Sequence, residues 1–244
     1  MSKIYEALKK AEQERSQSRL SRFRSAPATA DVGGAPPIGD EEYQKLRANL
    51  LTALGPSSMR TILVTAPRHR EGATTVALGL ATTLGKDRDA RVLLIEANLR
   101  SPALERALPT RADAGLVDFL QGRQPVESIV ARIDAINFSV VAAGRVTNGA
   151  AQTIDFDLLG QMLARLRPEY DFVVIDSPPV NQYADASVLA SNVDGVILVI
   201  EADRTPLAEA ESAKRQLERV GARILGVVLN RKRSYIPAFI ESLL

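Results

Sequence analysis

The chain has 244 residues, 45% of them hydrophobic and 25% charged, which is the composition of a globular protein large enough for one sizeable α/β domain. Its net charge of +2 is too small to indicate nucleic acid or an anionic membrane as a general partner. With no cysteine and a single histidine, the composition excludes disulfides, thiolate catalysis and a histidine-rich metal site, and it fits a reducing cytosol.

The N-terminal region carries no recognisable targeting signal. Its first residues, MSKIYEALKK, are charged throughout and lack the apolar segment of a secretory signal. No uninterrupted apolar run approaches the ~18 residues of a membrane span. We therefore predict a cytoplasmic protein without a membrane span.

Three parts are predicted along the chain. Ile4, Leu8 and Ala11 fall on one face of an N-terminal helix that is charged elsewhere. A stretch rich in Pro, Gly and Ala follows without periodicity, which is typical of a flexible linker. The predicted organisation is an amphipathic helix over 1–20, a linker over 21–39 and a main domain over 40–244.

The main domain alternates helical stretches with short apolar runs. Its predicted helices are 40–54, 74–85, 154–167 and 205–221. Its predicted strands are TILVT (61–65), VLLIEA (92–97), FSVVAA (138–143), FVVIDS (172–177), GVILVIEA (195–202) and ILGVVLN (224–230). Such runs are typical of strands buried on both faces, so we expect an α/β fold with a doubly wound, mostly parallel sheet and helices on both faces. Ligands of such sheets bind at the carboxyl ends of the strands.

The stretch VTAPRHREGATTVALGLA, residues 64–81, places a polar turn between a strand and a helix of small residues. This is the setting of the phosphate-binding loop G-x-x-x-x-G-K-[ST], in which backbone N–H groups and a helix N-terminus hold phosphates. Gly72 and Thr74 occupy motif positions, but Ala73 stands where the motif has lysine, and Pro67 where it has the first glycine. Since strand-to-helix turns with a glycine are common, the loop alone leaves a phosphate site and an ordinary turn equally open.

Three more strand ends carry polar residues. Glu96 and Asn98 end and follow the second strand, where polar residues ordinarily form a solvated loop. Asp176 ends a strand in the manner of the aspartate that holds Mg²⁺ in P-loop proteins, although a cap or turn aspartate gives the same pattern. Asn230 ends the last strand, where an amide can pair with a base edge but means little by itself.

Together these segments resemble the bacterial tyrosine kinases that regulate capsule and exopolysaccharide assembly, which are P-loop proteins related to the septum-positioning and partition ATPases. The resemblance runs from about Glu41 to Asn230. It rests on the loop region and on EEYQKLRANL, VLLIEANLRSP, GLVDFLQG, VVAAGRVTNGA, YDFVVIDSPPV, DASVLASNVDGVILVI and ILGVVLN. The opening MSKIYEALKKAEQER is similar to the start of free-standing members that are encoded apart from their membrane partner.

The resemblance implies a P-loop type of fold with ATP or ADP and Mg²⁺ as cofactors. It also implies the cytoplasmic part of a membrane polysaccharide co-polymerase as the partner, which would hold the protein peripherally at the inner face of the cell membrane. Thr74 and Asp176 are implied as metal-site residues, and Glu96, Asn98 and Asp176 as catalytic ones. The implied nucleotide-binding residues are Arg68, Arg70, Glu71, Gly72, Ala73, Thr74, Thr75 and Asn230.

The chain departs from the family pattern at these positions. The family loop P-G-E-G-K-S-T reads H-R-E-G-A-T-T here, so Arg70 replaces a glycine and Ala73 replaces the lysine that reaches the β- and γ-phosphates. Loss of that charge is expected to cost roughly 2–5 kcal/mol. In the family's D-x-D segment the first aspartate helps to activate the attacking hydroxyl and the second helps to organise the metal. Here Glu96 keeps the first charge with one more methylene, and Asn98 removes the second.

Two further departures concern the acceptor and the assembly. Autophosphorylating members carry a C-terminal tyrosine cluster, whereas the tail RKRSYIPAFIESLL holds only Tyr235. Family members form rings through a Glu-x-x-Arg-x-x-Arg pattern, which reads Glu41, Gln44, Arg47 here. A homo-oligomer is therefore expected to be weakened.

We accordingly predict a degenerate kinase-family protein, catalytically weak or inactive, with a regulatory role in polysaccharide assembly and export. One alternative is an active ATP-dependent tyrosine kinase in which Arg68 or Arg70 replaces the lysine, since a guanidinium binds phosphate well, although both precede the helix. A second alternative is a partition-type positioning ATPase acting on DNA or membrane. The basic run at 231–233 is short and more typical of a solvated strand exit, so we expect no nucleic-acid partner.

Overall fold

The computed structural model describes residues 40–55, 60–108, 114–133, 137–146 and 156–232. The predicted helix 1–20, the linker 21–39 and Tyr235 lie outside these ranges. Across the described ranges, no helix combines the length and the apolar character that crossing a bilayer requires.

The described chain forms a seven-stranded sheet flanked by helices. The strands are β1 Arg60–Thr65, β2 Val92–Glu96, β3 Ala131–Ile133, β4 Phe138–Val141, β5 Phe172–Asp176, β6 Gly195–Glu201 and β7 Ile224–Asn230. The helices are α1 Asp40–Leu54, α2 Ala73–Gly85, α3 Leu104–Ala107, α4 Leu116–Leu120, α5 Val126–Ile129, α6 Phe156–Leu166, α7 Ala184–Ala190 and α8 Leu207–Arg219. The strand order is β3-β4-β2-β5-β1-β6-β7.

The sheet confirms the predicted fold class. All neighbouring strands are parallel except β3, which pairs antiparallel with β4 at one edge. Strand β3 was not predicted from the sequence, because its three residues, ARI, are too few to show a period. Each of the six predicted strands is present within two residues of its expected end.

The central strands are buried on both faces, which explains their unbroken apolar runs. Alternate residues of β5 enter two separate hydrophobic clusters, as the period of two in a strand requires. Val173 and Ile175 join the cluster formed with α6, α7 and α8. Val174 joins the cluster on the other face, formed with α1 and α2.

The register of the central strands brings the predicted polar residues to one edge. Because β5 lies between β1 and β2, Asp176 is the strand partner of both Val64 and Glu96. The loop that follows β1 therefore starts beside Asp176, and β6 and β7 continue the sheet on the side of β1. All these strands run in the same direction, so their carboxyl ends form one rim.

Candidate nucleotide site

The loop between β1 and α2 has the backbone of a phosphate-binding turn. Gly72 lies in the left-handed region with φ 97°, and a Cβ built there would be 2.0 Å from Nδ2 of Asn230. Only glycine fits both requirements. Helix α2 begins at Ala73 without a side-chain cap, so its first N–H groups are left for a ligand.

Arg70 occupies a conformation that ordinarily favours glycine. Its φ is 68°, in the left-handed region, where a side chain costs roughly 1–2 kcal/mol. The kinase loop that this segment resembles has glycine at this place, which is the residue that accommodates such a backbone most easily. Strained residues of this kind persist where the surrounding structure holds them.

Glu71 holds the loop in place from inside. Its side chain is buried, and its carboxylate accepts hydrogen bonds from the Arg68 backbone N–H at 3.0 Å and from the Thr205 hydroxyl at 2.6 Å. Thr205 lies in the turn between β6 and α8. Glu71 therefore connects the loop to the turn that follows β6. Its negative charge is stabilised by these hydrogen bonds within the protein.

Arg68 is turned toward the same side as Glu71. Its guanidinium donates to the Arg204 carbonyl at 3.0 Å and lies 3.5 Å from carboxylate oxygens of both Glu71 and Glu209. A guanidinium held by two carboxylates is electrostatically satisfied without a ligand. Reaching a phosphate at the N-terminus of α2 would break these contacts.

Residues at the end of β7 donate hydrogen bonds to the loop backbone. Asn230 donates from Nδ2 to the Glu71 carbonyl at 2.8 Å, and its Oδ1 accepts from the Arg231 N–H at 2.9 Å. Arg231 in turn donates to the Arg70 carbonyl at 3.0 Å and lies 3.2 Å from Glu201. Each polar atom of the Asn230 amide thus makes one hydrogen bond within the protein, so this residue, implied as a nucleotide-binding one, holds the loop.

Thr74 and Asp176 meet as a metal-binding pair of P-loop proteins would. The Thr74 hydroxyl donates to Oδ2 of Asp176 at 2.7 Å, and Oδ1 of Asp176 is buried without a hydrogen-bond partner in the described chain. Burial raises the pKa of Asp176 to about 8, helped by the nearby charge of Glu96 and opposed by the Thr74 hydrogen bond.

This pair fits Mg²⁺. A hydroxyl and a carboxylate are hard oxygen ligands, and the orphaned oxygen of Asp176 gains a partner when a cation or its bound water arrives. Because the carboxyl holds a proton below about pH 8, cation binding there requires loss of that proton.

Glu96 faces the protein interior rather than the ligand space. One carboxylate oxygen accepts from the backbone N–H groups of Ala103 at 2.5 Å and Leu104 at 2.7 Å, and the other accepts from Ala143 at 3.1 Å. Burial raises the pKa of Glu96, and these three hydrogen bonds oppose the shift. The carboxylate thus holds α3 and the segment after β4, a geometry that counts against the predicted activation of a hydroxyl.

Asn98 lies closer to the ligand space. It is buried, its Oδ1 accepts from the Ser101 N–H at 3.2 Å, and it lines the cavity beside the loop. An amide here supplies no negative charge to a metal. The catalytic role predicted for this position stays a prediction.

A cavity of about 1060 Å³ opens above these strand ends, comparable with large ligand pockets of ~300–1,000 Å³. Every predicted residue of the loop lines it, whereas Glu96, Asp176 and Asn230 are not among the lining residues. The predicted residues on the wall are Arg68, Arg70, Glu71, Gly72, Ala73, Thr74, Thr75 and Asn98.

The cavity wall also contains residues that the sequence analysis did not assign to the site. Arg100, Arg204 and Arg231 bring positive charge from three other strand ends, and His69 lines the cavity within the loop. The signal for Arg231 was the basic run after β7, which by itself is indistinguishable from a solvated strand exit. Folding places that exit against the loop.

One wall of the cavity is braced by an aromatic contact. His69 Nε2 lies 3.3 Å from the Tyr183 hydroxyl, and the Arg100 guanidinium stacks 4.7 Å from the centre of the Tyr183 ring. Arg100 also donates to Asp185 at 3.1 Å. These contacts join the loop after β1 to the segments after β2 and β5.

The residues of the predicted ring pattern lie on α1. Glu41 is exposed and pairs with Lys45 at 2.8 Å, whereas Arg47 donates to Asp87 of the same chain at 3.2 Å. An intermolecular contact through Arg47 would compete with this internal pair. The weakened oligomer stays a prediction.

Comparison with known proteins identifies the relatives of this chain. No protein-family profile matches the sequence. Over 196 residues it is 28% identical to the tyrosine-protein kinase YwqD of Bacillus subtilis, and the match covers 80% of this chain and 82% of that protein. The chain is a homologue of the bacterial tyrosine kinases.

Solved structures agree with this relationship. The kinase homologue superposes on the BceF tyrosine kinase domain with a TM-score of 0.70 and 27% identity, covering 90% of this chain and 88% of that one. The septum site-determining protein MinD of Pyrococcus horikoshii, solved with Mg-ADP, gives a TM-score of 0.64 and 25% identity over 75% of each chain. The predicted family and the P-loop type of fold are confirmed.

Proposed function

We propose that this kinase homologue is a regulatory protein of capsule or exopolysaccharide assembly with weak or absent phosphoryl transfer. It acts at the inner face of the membrane with the cytoplasmic part of a polysaccharide co-polymerase. The proposal combines the family with the state of its phosphate-binding loop.

The observation that carries the proposal is the missing cation at the start of α2. Ala73 presents a methyl group where phosphoryl transfer needs a charge on the β- and γ-phosphates. Arg68, the candidate replacement with the same charge, is held by Glu71 and Glu209. Leaving a desolvated phosphate without its charged partner costs roughly 2–5 kcal/mol, or about 30-fold to several-thousand-fold in affinity or rate.

The metal pair is compatible with residual nucleotide binding. Thr74 and Asp176 keep the contact that presents an oxygen to Mg²⁺, and the open N-terminus of α2 still offers N–H groups to a phosphate. Bound Mg²⁺ would supply charge to offset that of the phosphates. Both features are compatible with a protein that binds nucleotide weakly and signals the nucleotide state without transferring phosphate.

Calorimetric titration of the whole chain with ATP and with ADP, each with and without Mg²⁺, tests this function. We expect Mg-nucleotide binding that is absent or weaker than low-micromolar, and no phosphotyrosine by mass spectrometry after incubation with Mg-ATP. Low-micromolar or tighter binding, accompanied by phosphotyrosine formation, contradicts the proposal.

Arg70 favours a second candidate, an active kinase with an arginine in place of the lysine. Its side chain lines the cavity, is exposed, and makes no ion pair within the described chain. If tight nucleotide binding is found, Arg70→Ala is expected to abolish it. Arg68→Ala is the matched control, since it removes the same charge from a guanidinium that is held elsewhere.

A further inference from the structure

Two arginines on the cavity wall have a backbone conformation that is unusual for arginine. The φ angles of Arg70 and Arg231 are 68° and 55°, in the left-handed region. The other described residues with a positive φ, apart from glycines, are Asn137 and Asp203, whose short polar side chains tolerate it better. Because both arginines line the cavity, this backbone strain lies at the candidate site.

Arg70 and Arg231 are also in direct contact. The Arg231 guanidinium donates from Nη1 to the Arg70 carbonyl at 3.0 Å, across 161 positions of the sequence. Glycine at either position would adopt the same backbone more easily, but it would lack the guanidinium. Residues in costly conformations cluster at ligand sites, where the side chain has a function. The strain therefore indicates that these two side chains act in the cavity.

The positive charge on this part of the wall exceeds the negative charge beside it. Arg204 and Arg231 share one carboxylate, that of Glu201, at 3.4 and 3.2 Å. The third arginine, Arg70, is exposed and forms no ion pair within the described chain. Three guanidinium groups are thus accompanied by one carboxylate, which leaves two positive charges uncompensated.

The other arginines of the cavity wall are paired. Arg68 lies 3.5 Å from carboxylate oxygens of both Glu71 and Glu209, and Arg100 donates to Asp185 at 3.1 Å. The uncompensated charge therefore lies in the loop before α2 and at the ends of β6 and β7. It is placed to attract an anion to that side of the cavity.

We propose that Arg70 and Arg231 form a pair that binds a phosphate group of a di- or triphosphate ligand. A phosphate monoester carries about −1.5 to −2 charge at pH 7, which matches the uncompensated charge. Guanidinium groups bind phosphate oxygens two at a time. The inference rests on the proposed function in one respect, that the cavity takes a phosphorylated ligand. It does not require phosphoryl transfer, since neither arginine stands at the position of Ala73.

Calorimetry with inorganic tripolyphosphate and with Mg-ATP, at matched ionic strength, tests the pair. We expect the wild type to bind tripolyphosphate. Arg70→Gly and Arg231→Gln should each weaken this binding by about tenfold to a hundredfold, because a hydrogen bond to a charged phosphate is lost. Arg219→Gln is the matched control, since it removes a charge from α8 outside the cavity lining and should bind as the wild type does.

Three results separate the outcomes of this titration. Tripolyphosphate binding that is absent from the wild type, or unchanged in either cavity variant, overturns the proposal. With the pair supported, tighter binding of Mg-ATP than of tripolyphosphate indicates a nucleotide ligand, and the reverse indicates an inorganic polyphosphate. Tight Mg-ATP binding with phosphotyrosine formation contradicts the proposed function but not the pair, so the two failures are distinguishable.

Thermal unfolding distinguishes ligand binding by Arg70 from a structural role. Arg70→Gly and Arg70→Ala both lack the guanidinium, but only glycine relieves the left-handed backbone. We expect Arg70→Gly to unfold about 2 °C or more above Arg70→Ala, and not below the wild type, although it binds tripolyphosphate less tightly. Asp203→Gly relieves a similar backbone outside the lining and should not weaken tripolyphosphate binding. An unfolding midpoint of Arg70→Gly below that of the wild type would make Arg70 a structural residue and overturn the proposal.

Discussion

At the scale of single residues, the chemistry of the candidate site depends mainly on Asp176. The fold buries it completely, gives one oxygen to Thr74 and leaves the other without a partner in the described chain. Burial, the first cause, raises its pKa from 3.8 to about 8. The protein keeps this carboxyl neutral until a bound cation offsets the free-energy cost of releasing its proton.

The raised pKa makes a prediction about stability without Mg²⁺. Folded Asp176 keeps its proton up to about pH 8, whereas the unfolded chain releases it near pH 3.8. Stability from this group is therefore full below about pH 4 and falls as pH rises toward 8. Asp176→Asn removes this loss of stability at higher pH. We therefore expect the substitution to increase the free energy of unfolding by on the order of 2–4 kcal/mol at pH 7. Urea unfolding at pH 5, 7 and 8.5 measures this.

Asp171 supplies a control of opposite sign. Burial raises its pKa, but hydrogen bonds and the charge of Arg91 outweigh burial and leave the pKa below its ordinary value. Its stabilising contribution is present above the unfolded pKa and is lost in acid. Asp171→Asn should therefore destabilise the protein at pH 7. A wild-type stability that does not fall relative to Asp176→Asn between pH 5 and 8 would refute the assignment.

At the scale of elements, the loop before α2 has the backbone shape of a phosphate-binding turn, with Arg70 and Ala73 at two of its positions. Gly72 and the buried Glu71 hold the turn, while Arg70 adopts a left-handed conformation. Asn230 and Arg231 bind the loop backbone from β7. Packing and backbone contacts thus support the shape of this loop, in which Ala73 stands at the position of the family's lysine.

Because the loop has the shape but not the charge of the family pattern, we can predict the effect of Ala73→Lys. The new ammonium would stand at the N-terminus of α2 and recover a phosphate contact, so we expect nucleotide affinity to rise by about 30-fold or more. Ala73→Met adds similar length without charge and should give little gain. Calorimetry with Mg-ADP compares the two.

Phosphoryl transfer should not follow from the same change. Asn98 still lacks the metal-organising charge, and Glu96 still faces three backbone N–H groups. We expect little autophosphorylation in Ala73→Lys by mass spectrometry. A strong phosphotyrosine signal in this single variant would mean that the rest of the catalytic site is intact.

At the scale of the whole molecule, the site is assembled from five strand ends of a domain that packs both faces of its sheet. The predicted helix 1–20 is separated from that domain by the predicted linker 21–39. We therefore expect deletion of residues 1–20 to leave the unfolding midpoint nearly unchanged while weakening association with the co-polymerase. Calorimetry of unfolding and a pull-down with the cytoplasmic part of the co-polymerase measure the two effects.

The same deletion can contradict the docking role in two ways. A clearly lower unfolding midpoint would mean that the helix packs on the domain. Full-strength capture of the co-polymerase by the shortened protein would mean that docking uses another surface. Exchanging Ile4 and Leu8 for serine within the full chain provides the matched control, because it keeps the charges and the length.

The sequence by itself determined the fold class and the relationship to the bacterial tyrosine kinases, and it predicted which strand ends carry the candidate site. Buried parallel strands leave unbroken apolar runs, and the loop before α2 and Asp176 lie at positions defined by local spacing. The directions of the side chains could not be predicted in this way, because they depend on contacts between segments distant in the chain. Only the tertiary structure turned Glu96 inward to the backbone, directed Arg68 to Glu209, and brought Arg231 from the last strand onto the loop.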